Sequence, residues 1–283
     1  MTQTVWLRVT SLLAVTLGAL AAAAGLFWMP PGDMAPNPDL YGQGLYRRDT
    51  PFTAGGAQGA DLLGLFLVVP VTLWVLARPV SGAARMILIG SHAWWLYLGA
   101  SLAFGAVAFN EIFPLYVAMI PVSSAGLALA LSGIGDTGTP RFLSAFMIGC
   151  GALTGLAWTL LLWLDMATGA YPPATYYTVR TTYAIDLGVI APGCIAAGVA
   201  LWRGTGWGLT LSLPLLSIAA LLLPMMVLQT IMQLRAGVAF GPEAAAPFVG
   251  FLLVSGGAAW FLRALVRRVH AAAPDRSARE HRT

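Results

Sequence analysis

The chain has 283 residues, of which 58% are hydrophobic and only 9% charged, with a mean hydropathy of +0.78. A water-soluble domain carries about a quarter charged residues, so this composition excludes a soluble fold and points to apolar runs long enough to cross a bilayer. All 15 basic residues that give the formal net charge of +4 are arginine, and the absence of lysine excludes a retinal pigment held as a lysine Schiff base.

Eight such runs are predicted, giving an all-α membrane protein with a single helical domain over residues 1–266 and a basic, disordered tail over 267–283. The first, residues 5–28, reads as an uncut span because it continues through Leu26 to Trp28 beyond Ala21–Ala24; cleavage after those alanines, as in a secretory signal, would leave seven helices. A long loop rich in Pro, Gly, Tyr and Arg follows, then span two over residues 61–77. Spans three and four are placed at 86–108 and 112–131, with Asn110 and Glu111 between them. Span five covers 142–164, a tyrosine-rich loop runs from Asp165 to Tyr183, and span six covers 184–202. Spans seven and eight take 207–233 and 247–266.

Basic residues resist translocation. Sorting the arginines between alternating loops puts Arg8, Arg78, Arg85, Arg141, Arg203, Arg263, Arg267, Arg268, Arg276, Arg279 and Arg282 on the side holding both termini, leaving four on the other. Both termini are therefore expected in the cytoplasm of a bacterial inner membrane. Eleven arginines against three acids leave +8 inside, and four against eight leave −4 outside. The inner excess suits an anionic lipid leaflet and calls for no nucleic-acid partner.

Spans two and six each begin with an aspartate, Asp61 and Asp186, and carry a proline, Pro70 and Pro192, which suggests a parallel 4+4 pseudo-repeat. Two readings of these aspartates compete. In one they only cap helices. In the other, the long first loop and the tyrosine loop close over an outward mouth, where Arg48, Arg180, Asp61 and Asp186 bind a polar or anionic ligand. Asn110 and Glu111 would share that mouth, with Tyr97, Tyr116, Gln229 and Gln233 supporting it from the helices; the spacing of four puts both glutamines on one face.

Other motifs carry less. His92, the single intramembrane histidine, reads as a hydrogen-bonded packing residue, and no second histidine is placed to hold a haem. No group of His, Cys and carboxylate has metal-site spacing, and no cofactor fingerprint occurs. Gly133-Ile134-Gly135-Asp136 resembles the signature of intramembrane aspartyl proteases, but that chemistry needs a second aspartate in the same site, so a glycine-rich turn explains it. Cys150 and Cys194 lie inside spans without a C-x-x-C pair and read as small packing residues, a disulfide between helices being the alternative. Gly151-x-x-x-Gly155, and Gly99 with Ala103 and Ala106, mark close helix contacts, within the chain or with a partner subunit or second copy.

The segments Tyr41–Asp49, Gln58–Leu62 and Phe109–Val117 resemble a family of uncharacterised bacterial membrane proteins. The resemblance covers mainly spans two to four and implies that the outer loop, Asp61, Asn110 and Tyr116 form one recurring arrangement; it lends no activity. The leading functional expectation is a non-enzymatic protein that binds or transports a small polar or lipidic ligand. The alternatives are an accessory or sensor subunit, and an enzyme of lipid or envelope substrates with Asp61 and Asp186 as acid and base.

Overall fold

The structure is a computed structural model that describes residues 2–30, 37–134, 138–140, 142–168, 181–241 and 246–271. Among these residues every regular element is helical, and eight helices are long and apolar enough to span a membrane. They are α1 (Gln3–Phe27), α2 (Pro51–Leu76), α3 (Gly82–Ala106), α4 (Phe113–Leu131), α5 (Leu143–Thr168), α6 (Thr181–Trp202), α7 (Gly206–Arg235) and α8 (Ala246–Ala271). Chain direction alternates, so that the Gln3 amide reaches Ser132 at the end of α4 and Arg8 donates to the Arg78 carbonyl just past α2. Gly82, at the start of α3, meets Val269 near the end of α8, so the start of α1 and the end of α8 lie toward one end of the bundle, called here the termini end; the other is the loop end.

The expected spans are recovered with shifted edges, and two shifts matter. Helix α2 starts ten residues before Asp61, because Thr50 accepts the Thr53 amide as N-cap and Pro51 occupies the first helical position. Helix α6 starts at Thr181, five residues before Asp186. Neither aspartate sits at a helix N-terminus, so capping does not explain them. Helix α8 also runs five residues into the segment expected to be a disordered tail, to Ala271.

Each of these two helices widens into a π turn before its proline, Gly64–Val68 before Pro70 and Asp186–Ile190 before Pro192. The Val69 amide bonds to the Gly64 carbonyl and the Ala191 amide to the Asp186 carbonyl, the same register in both. A proline ring collides with the carbonyl four residues back, and a five-residue turn moves that carbonyl aside. Proline chemistry thus accounts for the matched geometry on its own.

The most buried span is α3, with 56% of its central window buried against 17% for α5. It packs on α4, α7 and α1, while α2 packs on α7, and α5 with α6 forms a flank joined through α7. Glycines set the closest crossings. Gly151 of α5 approaches the Ala191 carbonyl and Cys194 of α6, and Gly99 of α3 approaches Met119 and the Tyr116 carbonyl of α4, so both small-residue motifs serve contacts within the chain. Cys150 and Cys194 are both free thiols.

Candidate functional site at the loop end of the bundle

The loop before α2 folds on itself through short-range bonds. The Tyr41 amide bonds to the Asp49 carbonyl at 2.8 Å and the Gly42 amide to the Arg47 carbonyl at 3.0 Å. Gly42 (φ 71°) and Gly44 (φ 61°) supply the left-handed positions that the tight path needs. This path turns Leu45, Tyr46, Arg47 and Asp49 inward, each no more than 7% exposed.

The inward side chains dock on the α3–α4 connection. Arg47 Nη2 lies 2.6 Å from Glu111 Oε1 and Nη1 lies 3.4 Å from Oε2, a two-pronged pair. Arg48 Nη1 donates to the Phe109 carbonyl at 3.1 Å, and its Nη2 lies 3.6 Å from the same glutamate. The Ala108 amide donates to Asp49 Oδ1 at 2.7 Å.

Below this clamp lies Asp61, 2% exposed, with the Tyr46 hydroxyl donating to its Oδ2 at 2.8 Å. The Tyr116 hydroxyl lies near that of Tyr46 and receives Asn110 Nδ2 at 3.3 Å. Asn110 is itself oriented by the Ile112 amide, which bonds its Oδ1 at 3.3 Å. A buried polar column, Asn110–Tyr116–Tyr46–Asp61, thus crosses from the α3–α4 turn through the loop to α2. Helix α1 admits it through Gly25: a Cβ there would overlap the Asp61 carboxyl and sit 2.8 Å from the Tyr46 hydroxyl.

Two groups outside the spanning helices have displaced proton affinities. The hydrogen bond from Arg47 holds the Glu111 carboxyl below the usual range of glutamate, against a smaller opposing effect of burial. Burial first, and the Asp61 carboxylate second, push the Tyr46 phenol well above its usual range, so it remains a donor. A carboxyl depressed in the folded state contributes stability that is complete above its unfolded value, near 4.5, and lost as the pH falls through the folded one. Thermal unfolding in detergent is therefore expected to show stability falling below about pH 4.5 in the wild type, with a flatter profile for Glu111→Gln. Identical profiles would remove this role of the ion pair.

The other expected site residues do not all converge here. Asp186 faces the Tyr97 hydroxyl and the Trp158 indole N–H, and Trp158 packs against Tyr183 in a tilted ring contact with centroids 4.6 Å apart. Thr181 ties the start of α6 to α3 by donating to the Phe104 carbonyl at 2.9 Å. Asp61 and Asp186 thus have separate sets of partners. Gln233 Nε2 donates to the Phe52 carbonyl at 3.0 Å, and the backbones of Gln229 and Gln233 press on Gly59 and Gly55 of α2, so this face joins two helices. Arg180 and Asp136 lie outside the described residues.

The termini end has a different character. His92, 1% exposed, pairs with Ser11 Oγ at 2.9 Å, which makes it the hydrogen-bonded packing residue expected. Thr72 Oγ1 pairs with Ser91 Oγ at 2.8 Å. Among the described residues no group of three His, Cys, Asp or Glu side chains could hold a metal ion.

Sequence reasoning missed Tyr46, Arg47, Asp49 and Gln58, and placed Arg48 where Arg47 makes the closer contact. The available signal was the pair of glycines at 42 and 44, whose turn decides which loop side chains face inward. The three segments that carried the family resemblance meet at this one place, through Tyr46–Asp61, Arg47–Glu111 and Asn110–Tyr116. Comparisons with protein-family models, with curated proteins and with solved structures find no match to this chain.

Proposed function

We propose that this is an integral protein of a bacterial cytoplasmic membrane, with both termini in the cytoplasm, that binds or moves a small polar or lipidic ligand through a mouth at its outward-facing loop end. The observation that carries the reading is Asp61, a carboxyl 2% exposed inside a membrane-spanning helix and joined to a column of phenols and an amide. Ionisable groups at such depth are costly and serve function by default. The orientation rests on the eleven arginines assigned to the termini side. A parallel 4+4 repeat and membership of the resembled family belong to the same proposal, on the aspartates and prolines matched along α2 and α6.

The test is a thermal-shift screen of the purified chain against neutral, zwitterionic and anionic polar solutes and against lipids. A ligand of this site is expected to raise the unfolding midpoint by about 4 °C at tenfold excess over its Kd. The shift should vanish in Asp61→Asn. If every active compound shifts the variant as much as the wild type, the ligand site is elsewhere and this reading falls.

A further inference from the structure

Among the described residues the loop-end cluster carries more acidic than basic side chains. Its described ionisable side chains are three carboxyls, Asp49, Asp61 and Glu111, and two guanidiniums, Arg47 and Arg48. Both guanidiniums are turned to Glu111, at 2.6 and 3.6 Å. Asp49 receives a backbone amide. Asp61 has the Tyr46 phenol as its hydrogen-bond partner and no guanidinium within ion-pair distance among the described residues. One turn earlier on α2, at the spacing that puts two side chains on one helix face, stands Gln58. It is 9% exposed, and its Oε1 has no hydrogen-bond partner among the described residues. An acceptor buried without a donor costs about 1–3 kcal/mol, and such atoms in folded proteins ordinarily meet an ion or a water.

These oxygens share one chemical preference. A carboxylate, an amide carbonyl and the two phenol oxygens of Tyr46 and Tyr116 are hard donors suited to a small positive charge. An anion would meet Asp61 unfavourably, because the two arginines described near it, Arg47 and Arg48, already hold Glu111. We propose that Asp61, Gln58, Tyr46 and Tyr116 form a site for a monovalent cation, an alkali metal ion or a small protonated amine, entering from the loop end. This rests on the ligand-binding reading given above and names the charge of the ligand. Gly25 is part of the device, since any side chain there would fill the space against the carboxyl.

The experiment uses the full chain in detergent micelles at pH 7.5. Unfolding midpoints, read by tryptophan fluorescence, are measured while sodium chloride, potassium chloride or methylammonium chloride replaces N-methylglucamine chloride at constant ionic strength. At least one of the three should raise the wild-type midpoint saturably, by about 4 °C. Sodium or potassium activity would identify a metal ion, and methylammonium activity alone an amine. Asp61→Asn should abolish the shift, Gln58→Leu should weaken the apparent affinity about tenfold, and Asp39→Asn, in an exposed part of the loop, should leave it unchanged. Should Asp61→Asn not fold, the Gln58→Leu titration decides. A wild-type midpoint indifferent to all three cations, or a shift that Asp61→Asn and Gln58→Leu leave intact, overturns the cation site. If a neutral or anionic solute then shows Asp61-dependent stabilisation, only the charge assignment has failed; if none does, the ligand-binding reading fails with it.

Discussion

Replacing Gly59 with leucine is expected to cost about 3 kcal/mol of folding stability, while replacing Gly56 with alanine costs nothing or stabilises slightly. The two positions lie on one helix three residues apart, so helix propensity does not separate them. Gly55 and Gly59 form a small-residue pair spaced by four, the arrangement that lets two membrane helices approach backbone to backbone. A Cβ at Gly55 would stand 2.6 Å from the Cα and amide nitrogen of Gln233, and one at Gly59 would overlap the backbone at Gln229. Backbone atoms have no rotamer to retreat into, so α2 and α7 must separate, at the upper end of the usual overpacking cost of about 1–3 kcal/mol. A Cβ at Gly56 meets only the Gln233 amide nitrogen, at 3.5 Å, an ordinary contact with the end of a flexible side chain. Alanine there also avoids the glycine penalty of about 0.5–1 kcal/mol in a helix. Unfolding curves in mixed micelles titrated with denaturing detergent measure both changes. Equal curves for Gly59→Leu and the wild type would mean that α2 and α7 do not touch as described.

How far the sequence could be read is clear from this same helix. The apolar stretch after Asp61 is legible as a span from composition alone, and so are its seven counterparts, because a bilayer demands about 20 apolar residues whatever the packing. Residues 51–60 are not, since Pro51-Phe52-Thr53-Ala54-Gly55-Gly56-Ala57-Gln58-Gly59-Ala60 has the composition of a loop. Its glycines are there for α7, a tertiary reason that a local pattern does not carry. The Thr50–Pro51 cap was a visible start signal, and its use would have moved the helix start and removed the capping explanation for Asp61. Tyr116 and Asn110 were both candidates from the sequence, and the structure joins them by a hydrogen bond. Choosing Arg47 over Arg48 depends on the turn at Gly42 and Gly44, where one residue of register reverses which side chain is buried. Asp186 has Tyr97 and Trp158 as neighbours and shares none of the hydrogen-bond partners of Asp61, because matching aspartates and prolines along two helices does not fix which neighbours those helices face.

Trp95→Ala is expected to produce the other large loss, about 3 kcal/mol, and to do so through shape. The ring is fully buried and its indole N–H has no hydrogen-bond partner among the described residues, so contact is what holds it. It lies between Gly18 of α1 and Gly64 of α2, where added Cβ atoms would come within 2.6 and 2.9 Å of ring carbons. In water, such a truncation in a core costs about 3–5 kcal/mol, transfer and cavity terms together. In a bilayer the tails are as apolar as the core, so the transfer term shrinks and the lost contacts remain, which selects the lower end. Trp95→Phe should recover more than half of the loss. The position gives the ring a second consequence. Ser11, Gly18 and Gly25 recur every seven residues along α1 and face, in turn, His92, Trp95 and Asp61. The indole therefore fills the stretch of the α1 seam between the polar group around His92 and the one around Asp61. Anything that travelled along that seam would have to move Trp95 first, so Trp95→Ala should also speed deuterium exchange of the neighbouring α1 amides. A variant that keeps wild-type stability and exchange would show that the ring is neither wedge nor barrier.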